Sequence, residues 1–196
     1  MLAQCFSIPK GAETLEIEEC KARLLELLKE KALKVGKFVL SSGKESDYYL
    51  DERVVTLSSE GAYLTARIML DMLKDVKVDA IGGMTLAADP IAGAIAGISY
   101  TEGRPIDGFI VRKEPKGHGT GKQVEGPITK GLRVVITDGT MTTGSSLLKA
   151  IEAMENEGCQ VVKVLVLIDR LEGGKEFLQS KGYDVSSVFT RDDLLG

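Results

Sequence analysis

Leu132-Arg133-Val134-Val135-Ile136-Thr137-Asp138-Gly139-Thr140-Met141-Thr142-Thr143-Gly144-Ser145-Ser146 joins an apolar, valine-rich run to an acidic residue, then to hydroxyl and glycine residues that open a helix. The run at 132–137 shows little polar alternation, as a strand buried on both faces does. Behind it, glycines let backbone amides approach an anion, hydroxyls add donors, and the helix that follows presents its positive end. A 5'-phosphate is the natural occupant of such a segment, and Asp138 at the strand end is placed to accept hydrogen bonds from sugar hydroxyls. The interval from Gly139 to Gly144 approaches that of a nucleotide-triphosphate loop. Ser145, however, stands where that motif needs lysine, and no GxGxxG fingerprint occurs, which weakens ATPase and dehydrogenase readings. Alone, the segment is equally a strand-turn-helix corner with capping serines.

The same grammar extends outward. Short apolar runs at Asp79–Gly83, Gly108–Val111, Val161–Ile168 and Val185–Phe189 alternate with predicted helices at Asp89–Ile98, Ser145–Glu157 and Lys175–Lys181, the last two ended by Gly158 and Gly182. A central, mostly parallel sheet flanked by helices satisfies this order, so the fold class is α/β. Upstream, Leu24, Leu28 and Ala32 recur at helical spacing and predict an amphipathic helix over Glu18–Lys34. Phe38–Leu40 and Asp47–Leu50 flank the turn-forming Ser41-Ser42-Gly43-Lys44 and predict a hairpin. Ser58 or Ser59 then caps a helix that runs to about Lys74. With no repeat and no low-complexity linker, residues 1–196 are expected to form a single domain: a small N-terminal helix and hairpin, mainly 15–56, added to a core, mainly 57–196.

Bulk composition excludes several classes of function. A net charge of -4 over 196 residues gives no support to a nucleic-acid partner held by bulk electrostatics, so any phosphate must be gripped locally. Cys5, Cys20 and Cys159 are an odd set at wide spacing, without a metal-knuckle or redox pattern, and read as reduced thiols. Met1 to Glu19 lacks the basic start and apolar run of a signal peptide, and no stretch approaches the ~18 apolar residues of a membrane span. The expectation is a cytoplasmic protein.

A second unusual segment, Arg112-Lys113-Glu114-Pro115-Lys116-Gly117-His118-Gly119-Thr120-Gly121-Lys122, holds the sole histidine of the chain among cations, glycines and a proline. By composition it is a solvated surface loop. Functionally, it is a lid whose cations neutralise a departing pyrophosphate and whose imidazole shares a proton near neutral pH.

Taken together, the strand with its acidic end, the Thr142-Thr143-Gly144 phosphate loop and the order Arg-Lys-x-x-Lys-x-His resemble the orotate phosphoribosyltransferases of the type I phosphoribosyltransferase family. Leu40-Ser41-Ser42-Gly43-Lys44 to Tyr48-Tyr49 is similar to the family's hood over the base, Gly82 to Pro90 to its second sheet-end loop, and Ile168-Asp169-Arg170 to the strand end with an orotate-contacting arginine. The resemblance implies that Arg112, Lys113, Lys116 and His118 touch phosphoribosyl pyrophosphate (PRPP), with Lys116, His118 and Asp138 in the catalytic roles. It further implies that Asp138, Gly139, Thr140, Met141, Thr142, Thr143, Gly144, Ser145 and Ser146 cradle the ribose phosphate, and that Thr142, Arg170, Tyr48 and Tyr49 face orotate. Mg2+ is implied as a cofactor held mainly through PRPP, with no direct protein ligand. A homodimer sharing the 112–122 loop across subunits is implied as well. Another base specificity, or a PRPP-sensing regulator with weakened catalysis, is the alternative.

Two departures from the family pattern stand out. Gly139 occupies the second position of the family's acidic pair, so one ribose ligand is missing and an aspartate restored there is expected to tighten PRPP. Ser41 and Ala87 stand where some members carry lysines. From the lid reading, Lys116→Ala should lower kcat by about two to four decades, because charge develops on pyrophosphate only as its bond to C1 breaks. Steady-state kinetics check this: a raised KM with unchanged kcat would leave a mere docking loop.

Overall fold

A computed structural model describes residues 15–39, 45–114 and 122–196. Helix α1 (Ile17–Leu27) continues through a π-helical turn at Leu28–Ala32 into β1 (Leu33–Val39), which pairs antiparallel with β2 (Glu45–Leu50). There follow α2 (Arg53–Thr56), α3 (Ser59–Met72), β3 (Ala80–Met84), α4 (Ala88–Thr101), β4 (Asp107–Val111) and β5 (Val124–Glu125). The chain ends with β6 (Arg133–Met141), α5 (Ser145–Asn156), β7 (Gln160–Asp169), α6 (Gly174–Ser180), β8 (Val185–Thr190) and α7 (Arg191–Leu195).

The large sheet has the order β5-β4-β3-β6-β7-β8, parallel throughout except for β5, which runs antiparallel to β4. This is the mostly parallel sheet expected. Successive residues of its central strands enter different cores: Val135, Leu165 and Leu167 join the α1, α3 and α4 side with Leu24, Leu64 and Ile68. Val134, Ile136, Val164 and Val166 pack against Leu147, Ile151 and Met154 of α5. Burial on both faces is why the runs read as unbroken valine, leucine and isoleucine, and each such side chain contributes roughly 1.5–3 kcal/mol. No helix among the described residues is long and apolar enough to cross a membrane.

Several expected boundaries move. The first helix was expected to reach Lys34, but Leu33 and Lys34 already pair with Leu50 and Tyr49, so the hairpin strand starts well before Phe38 and slips register between Val35 and Phe38. Strand β6 does not stop at Thr137. Asp138, Thr140 and Met141 remain in register with Val166, Ile168 and Asp169, so the cradle proper begins at Thr142. Ser58, rather than Ser59, caps α3, its hydroxyl accepting from the Gly61 amide at 3.1 Å. The short α2, β5 and α7 have too few residues for a periodic signal and depend on tertiary contacts or, for α7, a Thr190–Asp193 capping box.

At the amino ends of β3 and β6, Asp79 accepts from the Arg133 amide at 2.8 Å, from its Nε at 2.9 Å and from its Nη2 at 2.6 Å. These bonds hold the Asp79 carboxyl down at about 2 and fix the two strands relative to each other. The chain leaves β3 toward β4 on one side, while β6, β7 and β8 extend on the other. Beyond the carboxyl ends of β3 and β6 lies the crevice at which open α/β sheets bind ligands.

Candidate functional site

Four strand ends converge on this edge. Beyond β6, Gly144 takes a left-handed conformation (φ 79°, ψ 0°) that an L side chain would strain, and it turns the chain into α5. The hydroxyls of Thr143 and Ser145 lie 2.9 Å apart at the helix start, where the first amides of a twelve-residue helix have no intrahelical acceptor. Gly174 backs the turn so closely that a Cβ there would lie 2.5 Å from the Thr142 carbonyl oxygen. Met141 sends its side chain into the core and leaves only its backbone to the site. Thr142, Thr143, Ser145 and Ser146 are therefore brought together at the start of α5, with the Ser146 hydroxyl turned to Asp138.

Asp138 is buried beside it. Its carboxyl is pushed up to about 7, first by burial and second by the charge of Glu52, against hydrogen bonds from the Gly139 and Thr140 amides and the Ser146 hydroxyl. Glu52, just ahead of α2, is buried to a similar degree and is also raised, chiefly by burial. Its Oε2 accepts from the Thr140 hydroxyl at 3.2 Å. The sequence reading missed Glu52: it lies 88 residues from Thr140, in a short acidic and basic stretch that resembles an ordinary surface turn.

Gly139 is explained by the same neighbour. It is not among the glycines with positive φ. A Cβ at 139 would clash with Glu52 Oε1 and lie 2.7 Å from both Cδ and Cγ of that side chain. An aspartate restored at 139 would therefore need the Glu52 side chain to move aside before it could reach a sugar.

Beyond β7, the Arg170 amide donates to the Met141 carbonyl at 2.9 Å, which sets the arginine one strand away from Thr142. Its guanidinium lies 4.7 Å from the ring centroid of Tyr48 and pairs with Glu172 at 2.9 Å. These groups line a cleft of about 500 Å3 together with Arg191 and Asp192. Strand alternation separates the two tyrosines: Tyr48 is buried under Arg170, whereas Tyr49 is exposed and packs against Phe38 at 5.7 Å between ring centroids.

Beyond β4, the feet of the basic segment are tied together. The Arg112 amide donates to the Gln123 carbonyl at 2.9 Å, and the Gln123 side-chain amide returns a bond to the Arg112 carbonyl at 3.2 Å. Arg112 also pairs with Glu125 at 3.7 Å, and Lys113 is exposed. Lys116 and His118 lie outside the described residues, as do Ser41 to Lys44. Beyond β3, the Thr85 hydroxyl donates to Asp89 at 2.7 Å, and Ala87 precedes α4 without contributing a cation.

Residues 66–188 match the family model of the phosphoribosyl transferase domain. The chain is 44% identical over 178 residues to the orotate phosphoribosyltransferase of Aquifex aeolicus, covering 89% of this chain and 97% of that protein. It is 46% identical over 179 residues to the one from Rhodopirellula baltica, with coverages of 88% and 93%. Its fold is similar to that of orotate phosphoribosyltransferase from Mycobacterium tuberculosis in complex with PRPP, with a TM-score of 0.77, 36% identity, and coverages of 90% and 99%.

The electrostatics carry a cost that can be measured. A carboxyl raised in the fold stabilises it fully below its unfolded pKa of about 3.9 and loses that contribution as pH rises through the folded value of about 7. Asp138→Asn removes the buried charge, so its melting temperature should exceed that of the parent at pH 8, and the difference should vanish toward pH 4. Thermal melts across that range check it; a lower melting temperature at pH 8 would mean that Asp138 is a structural anchor.

Proposed function

The chain belongs to the orotate phosphoribosyltransferase family, and we propose on that premise that it transfers the 5-phosphoribosyl group of PRPP to orotate, giving orotidine 5'-phosphate and pyrophosphate in UMP biosynthesis. The observation that carries the reading is the adjacency of two subsites: a hydroxyl-lined helix start at Thr142 to Ser146 and, one strand over, a cation at Arg170 above an aromatic ring. The first suits the 5'-phosphate. The second suits a planar base that bears a carboxylate.

In the reaction, N1 of orotate attacks C1 of PRPP while the C1–O bond to pyrophosphate breaks and its electron pair leaves with the pyrophosphate. The ribose gains oxocarbenium character in between. The protein contributes position and field rather than covalent chemistry. The α5 amides and the Thr143 and Ser145 hydroxyls hold the phosphate, and Asp138 accepts from a ribose hydroxyl. Arg112, Lys113, Lys116 and His118, from the segment whose feet are pinned by Gln123, meet the charge on the leaving group. Closure of that segment keeps water from PRPP.

Mg2+ is the cofactor in this reading, and the donor set of the edge fits it: carboxylates and hydroxyls, all hard oxygen ligands, beside a substrate rich in phosphate oxygens. The ion would be held mainly through PRPP, where it offsets pyrophosphate charge. The chain acts as a homodimer in which the 112–122 loop of one subunit reaches the site of the other. Exposed Val54, Leu57 and Leu86, around a cleft of about 700 Å3, support that assembly. The buried free thiols Cys20 and Cys159 suit the cytoplasm.

Loss of the Arg170 cation removes a hydrogen bond to a charged group, so Arg170→Leu should lower kcat/KM for orotate roughly ten- to a hundredfold. Uracil, which lacks the carboxylate, should be far less affected. Spectrophotometric consumption of each base with PRPP and Mg2+ tests both the activity and the base choice: no turnover of orotate by the parent protein contradicts the function, and equal losses for both bases make Arg170 structural.

A further inference from the structure

We propose that Glu52 is the second ribose-binding carboxylate of this site, delivered from the start of α2 into the space that the side chain of residue 139 would fill. The inference deepens the reading above and rests on it. Its first ground is steric coincidence, because a Cβ built on Gly139 meets Glu52 Oε1, Cδ and Cγ. A glycine at 139 and a glutamate at 52 are thus two halves of one arrangement: the acid has moved from β6 to another element while its place in the crevice is kept.

The second ground is that, among the described residues, Glu52 forms no ion pair and caps no helix with its side chain, although it is buried. Arg53, its cationic neighbour in the chain, turns instead to Asp51 at 2.8 Å. Its bonds come from the Thr140 hydroxyl and its own backbone amide. A buried carboxyl beside the charge of Asp138, whose neighbouring cation Arg53 is paired with Asp51, is costly, and such groups gather where a ligand completes them. A ribose offers the complement, two neighbouring hydroxyl donors for two neighbouring carboxylates. Burial raises both acids, and hydrogen bonds from those hydroxyls favour their charged forms.

The third ground is rigidity. The Glu52 carbonyl accepts from the Val55 and Thr56 amides at 2.9 and 2.8 Å, and the neighbouring Asp51 amide donates to Ala32 at 3.0 Å. The backbone that carries the carboxylate is therefore held from both sides, as a binding group requires.

Calorimetric titration of PRPP with Mg2+, set against pyrophosphate with Mg2+ as a probe without sugar, tests the assignment in four proteins. Glu52→Gln, which keeps the side-chain shape, should weaken PRPP roughly ten- to a hundredfold and leave pyrophosphate within about twofold, the size expected for hydrogen bonds to a charged group. Gly139→Asp alone should also bind PRPP more weakly, because the new side chain collides with Glu52. The exchange Glu52→Ala with Gly139→Asp should bring PRPP affinity back to within a few-fold of the parent, a rescue that a merely structural glutamate would not permit. Unchanged PRPP affinity in Glu52→Gln overturns the inference, as does an equal loss for PRPP and pyrophosphate or a failure of the exchange to recover affinity. A parent protein that does not bind PRPP overturns the functional reading itself, a result distinct from all of these.

Discussion

Two carboxyl groups from distant parts of the chain, Asp138 near the end of β6 and Glu52 ahead of α2, share one buried position, and much of the surrounding geometry serves to keep them there. Arg53, the cation that acts on Glu52, is itself paired with Asp51. Burial drives Asp138 and Glu52 toward the neutral form, while backbone amides and the hydroxyls of Thr140 and Ser146 pull the other way. A pair balanced in this manner is sensitive to any incoming hydrogen-bond donor.

The scaffold explains how such a pair is tolerated. Strands β6 and β7 are packed on both faces by two apolar cores, so the end of β6 is a stiff platform rather than a loop. The Asp79–Arg133 bonds secure the far ends of β3 and β6, and the crevice between their carboxyl ends inherits that alignment. The small N-terminal hairpin contributes to the site from the other side: β2 places Tyr48 under Arg170, and the turn after it carries Glu52. The hairpin and the turn after it thus bring Tyr48 and Glu52 to the same sheet edge as Arg170 and Thr140.

Much of this was legible in the sequence, for reasons that separate the residues seen from those missed. The valine-rich strands, the Thr142 to Ser146 run and Arg170 are local signals, readable from a few neighbouring residues. So was the anomaly at Gly139. What the sequence could not display was its resolution, because the partner is a single glutamate 88 residues from Thr140, in a segment without periodicity. The same limit hid α2 and β5, which are shaped by contacts rather than by pattern. The resemblance placed Tyr48 and Tyr49 together, whereas strand alternation puts only Tyr48 against the arginine.

Where the sugar of PRPP meets the protein decides whether Asp138 and Glu52 act together. A crystal structure of the protein with PRPP and Mg2+ measures this directly. One ribose hydroxyl is expected on Asp138 and its neighbour on Glu52, each at about 2.7 Å, the length of a hydroxyl bond to a carboxylate. A ribose bound with the Glu52 carboxylate more than about 4 Å from both hydroxyls, beyond hydrogen-bonding range, would contradict it.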